Sequence, residues 1–332
     1  MPYFSIIVPV YNRPLEVDEL LESLALQTCK DFELVLVEDG SSTPCRDIAE
    51  KFAGKVDISY YFKENSGRSD TRNYGMERAS GKYFVFFDSD CVIPHDYFQI
   101  VKQELDKNYT DCYGGPDKAD TSFSDLQKAI SFSMTSFLTT GGIRGGKKGL
   151  EKFTPRTFNM GFSAEVYHRV GGFKDMFGED IDLSLRIRDA GFTTRLIPEA
   201  FVYHKRRVNL RSFRRQVFVF GMARIELFLL HPDSLKLVHT LPALFTAGSI
   251  LLLILSFWNA WALAPLIIYF LLIFLFSLGQ YKKLSIAFLS IITSTIQLYS
   301  YGWGFIKAFF RKVIYKQRNT QEKDLDKYYK KK

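Results

Sequence analysis

The sequence predicts an α/β protein with a doubly wound, mostly parallel sheet, followed by an α-helical membrane region. Three observations support this prediction. Strand-like and helix-like segments alternate between residues 4 and 90, several strand-like segments end in acidic residues, and charged residues are scarce between residues 241 and 310. Alternating strands and helices are typical of parallel sheets, whereas long segments with few charges are typical of membrane helices.

Four strands and three helices account for the amino-terminal part of the chain. The strands are predicted where apolar and aromatic residues cluster, at residues 4–8, 32–37, 58–62 and 83–87. The helices are predicted between them, at residues 15–26, 45–52 and 69–79. Polar residues just past each strand should therefore meet at one edge of the sheet, where open α/β sheets bind their ligands.

Acidic residues stand at two of these strand ends. Glu38 and Asp39 follow the second strand, and Asp88 and Asp90 follow the fourth. Each group alone is equally well explained by a turn or a helix cap. Because turns do not require acids at several strand ends together, the joint pattern favours a site where a divalent metal holds a diphosphate.

The carboxyl-terminal part contains three apolar segments. Residues 241–258 and 261–279 are each about long enough to cross a bilayer, which takes roughly 20 residues. The third segment, 284–305, either spans the membrane or is re-entrant, because serine, threonine and glycine dilute it. A third crossing would also place the basic tail opposite Lys282 and Lys283, against the positive-inside tendency. The re-entrant or interfacial alternative is therefore favoured.

The expected organisation is a globular domain at residues 1–235, a membrane region at 236–310 and a basic tail at 311–332. The net charge of +8 is concentrated late in the chain. A solvated surface explains such charge simply, but its position beside membrane segments also fits anionic lipid headgroups. Nucleic acid is not expected as a partner, because no recognised binding motif accompanies the charge.

The four cysteines show no paired CxxC spacing and are expected to be reduced, structural thiols. The first predicted strand begins within four residues of the amino terminus, so no signal peptide is expected. The predicted location is the inner (plasma) membrane, with a multi-pass membrane region. The first domain is expected in the cytoplasm.

Five sequence motifs together resemble the family 2 glycosyltransferases, which have the GT-A fold, and in particular their membrane-anchored bacterial type. The motifs are SIIVPVYN at 5–12, EDGSS at 38–42, NSGRSDTRNYG at 65–75, DSD at 88–90 and GED at 178–180. The resemblance covers about residues 3 to 230. It implies inverting transfer of a sugar from a nucleotide-diphosphate sugar to an acceptor hydroxyl, with Mg²⁺ or Mn²⁺ as the divalent cation.

The resemblance also implies roles for individual residues. It assigns Pro9, Tyr11 and Asp39 to the nucleotide base, Arg72 to the phosphates, Asp88 to ribose or metal, and Asp90 to the metal. Glu38 replaces the usual first aspartate of the pair, which leaves its role in nucleotide binding open. Arg68 lies four residues before Arg72 on one helix face and is expected to add a charge-assisted hydrogen bond.

The same resemblance places the acceptor chemistry at Glu179 and Asp180. Asp180 matches the general base, and Glu179 is expected to orient the acceptor. An acidic helix amino terminus is the structural alternative for these residues, and the two interpretations are compatible. His204 resembles a histidine that completes the metal site in part of the family, although a structural role remains open.

Two further segments have functional interpretations. The Gly- and Lys-rich segment 139–156 is a surface connection or a lid that orders on donor binding. The predicted helix 212–230 has basic and apolar faces and is a core helix or an interfacial helix. A lipid-linked saccharide or polysaccharide precursor is therefore the expected acceptor.

Two alternative functions stay open at this stage. One is a sugar-nucleotide-binding component of a membrane export system. The two apolar segments predicted to span the membrane provide few helices from which to build a transport path. The other is a nucleotidyltransferase, which would be expected to have an early glycine-rich phosphate loop that this sequence lacks.

Overall fold

A computed structural model describes residues 1–118, 123–141, 153–204 and 209–316. The described residues form two compact units. Unit 1 comprises residues 1–118, 153–175 and 179–204, and unit 2 comprises residues 123–141, 176–178 and 209–316.

The secondary structure follows the alternation that the sequence predicts. The described strands are β1 Phe4–Val10, β2 Phe32–Asp39, β3 Ile58–Lys63, β4 Tyr83–Phe86, β5 Cys91–Val92, β6 Cys112–Gly114, β7 Asp117–Lys118, β8 Met160–Ser163, β9 Thr194–Leu196 and β10 Val202–His204. The described α-helices are α1 Pro14–Ala25, α2 Arg46–Phe52, α3 Arg68–Met76, α4 Tyr97–Lys107, α5 Asp125–Thr135, α6 Phe137–Thr140, α7 Ala164–Val170, α8 Glu179–Asp189, α9 Leu210–Leu230, α10 Leu237–Leu255, α11 Ala264–Tyr281 and α12 Leu284–Phe309.

Unit 1 is built on a seven-stranded sheet in the order β3-β2-β1-β4-β8-β6-β9. All neighbouring strands are parallel except β8, which runs antiparallel to β4 and β6. This confirms the predicted mostly parallel sheet. In the register of β1 with its neighbours, Val10 lies beside Glu38 and Ile7 beside Phe86. The carboxyl ends of β1, β2 and β4 therefore lie at the same edge.

The central strands bury apolar side chains on both faces. Ile6 and Leu34 belong to one cluster, which includes residues of α1, α2 and α4, and Ile7 and Val35 belong to a second cluster, with residues of α3, α7 and α8. Burial of each such side chain contributes about 1.5–3 kcal/mol. Burial on both faces explains why these strands read as continuous apolar runs rather than as alternating ones.

A second, three-stranded sheet in unit 1 has the order β5-β10-β7. In this sheet β10 runs antiparallel to β5, with His204 beside Cys91. The pairing brings the end of β10 to the segment that follows Asp90.

Unit 2 contains three helices that are long and apolar enough to cross a membrane: Leu237–Leu255, Ala260–Tyr281 and Leu284–Ile314. The first two correspond to the predicted spans 241–258 and 261–279. The third is one continuous helix that ends in a π-helical turn at Phe310–Ile314. A segment that turns back within the bilayer is therefore not what the structure shows, and a crossing by α12 stays a prediction.

Packing explains the polar residues that dilute α12. Ser290 and Thr293 are fully buried within unit 2. The Ser290 hydroxyl hydrogen-bonds that of Ser277 on α11 at 2.7 Å, and Thr293 Oγ1 donates to the Ala129 carbonyl of α5 at 2.9 Å. Polar side chains that face neighbouring helices are compatible with a membrane helix.

The helix α9 confirms the helix predicted at 212–230, but it packs along α12 in unit 2. Its buried residues include Phe213, Val217 and Ile225. The predicted boundary at residue 235 therefore differs from the structural division, since α5, α6 and α9 group with the apolar helices.

Some of the predicted segments lie outside the described residues. These are Lys205, Arg206 and Arg207, most of the predicted lid, and the tail from residue 317.

Candidate active site

The candidate site lies in unit 1, where β1, β2 and β4 end. Asp39 is the last residue of β2, and Gly40 after it has a φ of +69°. A Cβ at Gly40 would lie 2.7 Å from the Asn65 backbone nitrogen, so only glycine lets these two segments approach so closely. The close approach brings the segment that precedes α3 against the end of β2.

Asp39 organises the start of α3. Its Oδ1 accepts hydrogen bonds from Lys63 Nζ at 2.7 Å and the Ser66 amide at 2.9 Å, and its Oδ2 accepts from the Gly67 amide at 3.0 Å. The side chain is almost fully buried. Asp39 thus fixes the position from which α3 projects Arg68 and Arg72.

The other residues predicted to meet the base lie at the end of β1. Pro9 pairs with Val37 in the sheet, and the Tyr11 side chain that follows is 48% exposed. An exposed aromatic ring at this edge is available to a ligand. Their contact with a nucleotide base remains a prediction.

Glu38 has a different environment from Asp39. It is fully buried, and its Oε2 accepts from the Cys45 amide at 2.9 Å, the Cys45 thiol at 2.9 Å and the Tyr60 hydroxyl at 3.1 Å. Burial, followed by the neighbouring Glu38 carboxylate, raises the pKa of the Cys45 thiol. The structure gives Glu38 a packing role at the start of α2 through Oε2, and its contact with a nucleotide stays a prediction.

Arg72 and Glu179 form a buried pair. Glu179 Oε1 accepts from Arg72 Nη1 at 3.2 Å, and Glu179 Oε2 accepts from Arg68 Nη2 at 2.7 Å. Both side chains of the Arg72–Glu179 pair are only 4% exposed. Glu179 therefore holds the two arginines that the sequence assigned to the donor, and its contact with an acceptor stays a prediction.

Asp88, Asp90 and His204 come together. Arg72 Nη2 donates to Asp88 Oδ1 at 2.9 Å, and His204 Nε2 lies 3.8 Å from Asp88 Oδ2 and 3.2 Å from Asp90 Oδ1. The imidazole ring stacks on Phe158, with 4.9 Å between ring centroids. The β5–β10 pairing and this stacking position a histidine that lies 114 residues after Asp90 in the chain.

These residues fit a divalent cation. Asp90, Cys91 and His204 offer ligand atoms within 4.8 Å of one another. Two ligands of an octahedral Mg²⁺, each at about 2.1 Å, lie about 3 Å apart, close to the 3.2 Å between Asp90 Oδ1 and His204 Nε2. Burial, and then the charges of Asp88 and Asp90, raise the pKa of the Cys91 thiol, so carboxylate and imidazole are the better donors.

Asp180 stands in the first turn of α8, within unit 1. Its Oδ1 accepts from the Ile181 amide at 2.8 Å, and its Oδ2 lies 3.6 Å from Arg156 Nη1. The side chain is 18% exposed. The carboxylate is thus held by the helix terminus yet reachable, and both sequence interpretations of Asp180 remain compatible.

The structure adds residues that sequence reasoning missed. Arg13 Nη1 donates to Asp90 Oδ2 at 3.0 Å, Lys63 pairs with Asp39, and Arg156 lies beside Asp180. The sequence could have indicated Arg13 by its position, because it is a basic residue just after the end of a strand. Arg156 ends the segment 139–156 for which a lid was one interpretation, but the sequence does not indicate its contact with Asp180 or the stacking of Phe158 on His204.

The mostly parallel sheet, with carboxylates at its strand ends, agrees with the GT-A fold that the sequence resemblance implies. The sequence model of glycosyl transferase family 2 matches residues 5–171, half of the chain, and the chain belongs to this family.

Several relatives of this chain are also described as glycosyltransferases. The chain is 36% identical over 115 residues to an uncharacterized glycosyltransferase, EpsJ, of Bacillus subtilis, covering 34% of this chain and 33% of that protein. It is 24% identical over 266 residues to the glycosyltransferase AglE of Haloferax volcanii, covering 75% and 81%. In several relatives from Rickettsia and Bacillus the match spans between 12% and 33% of their length.

A solved structure shares the fold. The mannosyltransferase PcManGT from Pyrobaculum calidifontis, in complex with GDP-Man and Mn²⁺, matches with a TM-score of 0.60 at 18% identity. The match covers 94% of this chain and 88% of that protein. This likeness shows a shared fold, and the family itself is shown by the match to residues 5–171.

Proposed function

We propose that this protein is an inverting, metal-dependent glycosyltransferase that transfers a sugar from a nucleotide-diphosphate sugar to a hydroxyl of a membrane-proximal acceptor. The observation that carries the proposal is the cluster of Asp88, Asp90 and His204 at the strand ends, joined by Arg72 to Glu179 at the start of α8. This cluster combines donors for a metal with a fixed cation for phosphate.

The donor half of the site is Asp39, Arg68, Arg72, Asp88, Asp90 and His204, with Pro9 and Tyr11 at the end of β1. Asp90 and His204, with Asp88 beside them, would hold the Mg²⁺ or Mn²⁺ ion. That ion stabilises the negative charge that develops on the leaving diphosphate. Arg68 lies 45% exposed beside the buried Arg72 and is available to a phosphate oxygen.

The acceptor half is built around Asp180. The acceptor oxygen attacks the anomeric carbon as the bond to the diphosphate oxygen breaks, and the hydroxyl proton passes to the Asp180 carboxylate. Attack opposite the leaving group inverts the anomeric configuration. The hydrogen bond from the Ile181 amide holds one carboxylate oxygen and so orients the other. In this proposal Glu179 acts through the arginines that it positions.

The acceptor is inferred from the rest of the chain. Three helices long and apolar enough to span a membrane support anchoring of the protein in a membrane, with membrane lipids as partners. One relative, matched over 12% of its length, is a minor teichoic acid biosynthesis protein, GgaB, of Bacillus subtilis. We infer a lipid-linked saccharide or polysaccharide precursor as acceptor, at the cytoplasmic face of the inner (plasma) membrane.

Family membership argues against the two alternative functions. A nucleotidyltransferase would release pyrophosphate, and an export component would bind a sugar nucleotide without turnover. The product released into solution distinguishes these functions from the proposal, which predicts a nucleoside diphosphate.

The test uses the full-length protein in detergent with UDP-, GDP- and dTDP-hexoses and Mn²⁺. We expect metal-dependent release of nucleoside diphosphate with one of them, and its loss in Asp90→Ala and Asp180→Ala. Asp18→Ala is the matched control, because Asp18 is exposed and pairs with Lys51 outside the site. Activity that survives both site substitutions, or release of pyrophosphate, would contradict the proposal. The anomeric configuration of the product, read by NMR, tests inversion.

A further inference from the structure

Both carboxylates of the Asp88–Asp90 pair are contacted by arginines. Arg72 Nη2 donates to Asp88 Oδ1 at 2.9 Å, and Arg13 Nη1 donates to Asp90 Oδ2 at 3.0 Å. These contacts place two positive charges against two negative charges at the point where a divalent cation is proposed to bind. The formal charges of the four groups cancel.

This cancellation affects the affinity for a metal ion. A dication near Asp90 is attracted by two carboxylates but repelled by a guanidinium in contact with one of them. A guanidinium charge at contact distance weakens the attraction between a dication and Asp90, and solvent at this partly exposed site screens the repulsion in part. Asp90 Oδ1, 3.2 Å from His204 Nε2, stays on the side without Arg13.

The two arginines differ in their freedom to move. Arg72 is buried and held by Glu179. Arg13 is 34% exposed, and its Nη1 also lies 3.4 Å from Glu16 Oε1 in the first turn of α1. Glu16 is thus a second anionic partner of the same guanidinium nitrogen that contacts Asp90. Arg13 is thus the cation that can move away from the pair.

The backbone before Arg13 is firmly held. Asn12 has a φ of +54°, its amide donates to Ser41 Oγ at 2.8 Å, and its Oδ1 accepts from the Thr43 amide at 3.0 Å. These contacts tie the end of β1 to the loop that follows β2. Any change of Arg13 position is therefore a movement of its side chain.

We propose that Arg13 makes metal binding depend on the donor, by neutralising Asp90 until a diphosphate is present. This inference rests on the proposed function, because it takes Asp90 as a metal ligand. The diphosphate brings negative oxygens that pair with Arg13 and complete the coordination of the ion. The protein without a donor then binds the cation weakly, and donor and metal bind synergistically.

The test measures Mn²⁺ affinity directly, by electron paramagnetic resonance of free Mn²⁺, in the full-length protein without any nucleotide. Arg13→Ala and Arg13→Gln are expected to bind Mn²⁺ about tenfold more tightly than the unchanged protein, since one repulsive charge is removed. Arg13→Gln keeps most of the side-chain volume, which separates charge from packing. Lys51→Ala removes an exposed cation paired with Asp18, and its affinity is expected to stay unchanged.

A second arm distinguishes failure of this inference from failure of the proposed function. Asp90→Asn is expected to lose most Mn²⁺ binding. If Asp90→Asn binds weakly while both Arg13 variants bind like the unchanged protein, the role of Arg13 is overturned and the metal site stands. If Asp90→Asn binds Mn²⁺ normally, Asp90 is not a ligand, and the proposed function loses its metal site together with this inference.

Discussion

Glu179 Oε1 accepts a hydrogen bond from Arg72 Nη1 over 3.2 Å, although the two residues are separated by 107 positions in the chain. The contact joins α3, which follows the strand-end loop, to the first turn of α8, which carries Asp180. The helix proposed to contact the donor and the helix that carries the proposed base are thereby linked within unit 1 through one buried ion pair.

Replacement of Glu179 by alanine is expected to destabilise unit 1. The change removes one of the two carboxylates that pair with the buried Arg72 and leaves Asp88 as the other, and breaking a buried pair costs about 3–5 kcal/mol. The shift of the denaturant midpoint measures this loss. The control is Glu165→Ala, because Glu165 lies 63% exposed at 3.7 Å from Arg169 and should change stability by about 0.5 kcal/mol or less. Equal stability of the two variants would show that Glu179 has no structural role.

Asp180→Asn is expected to separate chemistry from binding. The amide oxygen still accepts from the Ile181 amide, but the side chain no longer takes a proton. A general base contributes about 10²–10⁴-fold, so kcat should fall by that factor while the Kd for donor stays unchanged. The measurements are steady-state transfer and calorimetric donor binding. A parallel loss of donor affinity would instead indicate a structural role for Asp180.

The four cysteines are expected to differ in alkylation. Burial raises the pKa of the Cys45, Cys91 and Cys112 thiols, so each stays protonated at pH 8, and the protonated thiol is not the reactive form. Cys29 is partly exposed. Mass spectrometry after iodoacetamide treatment at pH 8 should show one modified cysteine in the folded protein and four after denaturation. Rapid modification of Cys91 in the folded protein would show that its segment opens.

Gly221→Ala is expected to disrupt the packing of α9 on α12 in unit 2. A Cβ there would overlap the Tyr301 carbonyl and lie 2.8 Å from the Phe305 nitrogen, and backbone atoms cannot turn aside. Overpacking costs about 1–3 kcal/mol, read as a lower unfolding midpoint in detergent. Gly248→Ala on α10 is the control, because no atom lies within 4 Å of its added Cβ. A Gly221→Ala variant as stable as the control would contradict this packing.

Local patterns predicted much of unit 1. Apolar runs located the four amino-terminal strands, and the acids that follow them predicted a candidate site, because parallel strands end at a common edge. The five motifs also predicted the family by resemblance, and the match of the family model to residues 5–171 confirms this prediction. Patterns of this kind extend over a few residues and are therefore visible in a single chain.

The contacts of individual side chains were decided by tertiary structure. Glu38 and Asp39 are adjacent carboxylates in the sequence, yet alternation along β2 sends Glu38 to Cys45 and Tyr60 while Asp39 meets Lys63 and the start of α3. The polar residues of α12 suggested a re-entrant segment, but neighbouring helices bury them. Their environment depends on which surfaces the chain folds against each other.

The sequence by itself thus determined the alternation of strands and helices, the acidic strand ends and the apolar carboxyl-terminal segments, because each is a local property of composition and spacing. Tertiary structure alone decided that Arg13 contacts Asp90, that Glu179 joins Arg68 to Arg72, and that His204 reaches Asp90. The physical reason is that these charges meet only after sheet pairing and core burial have brought together segments as many as 114 residues apart.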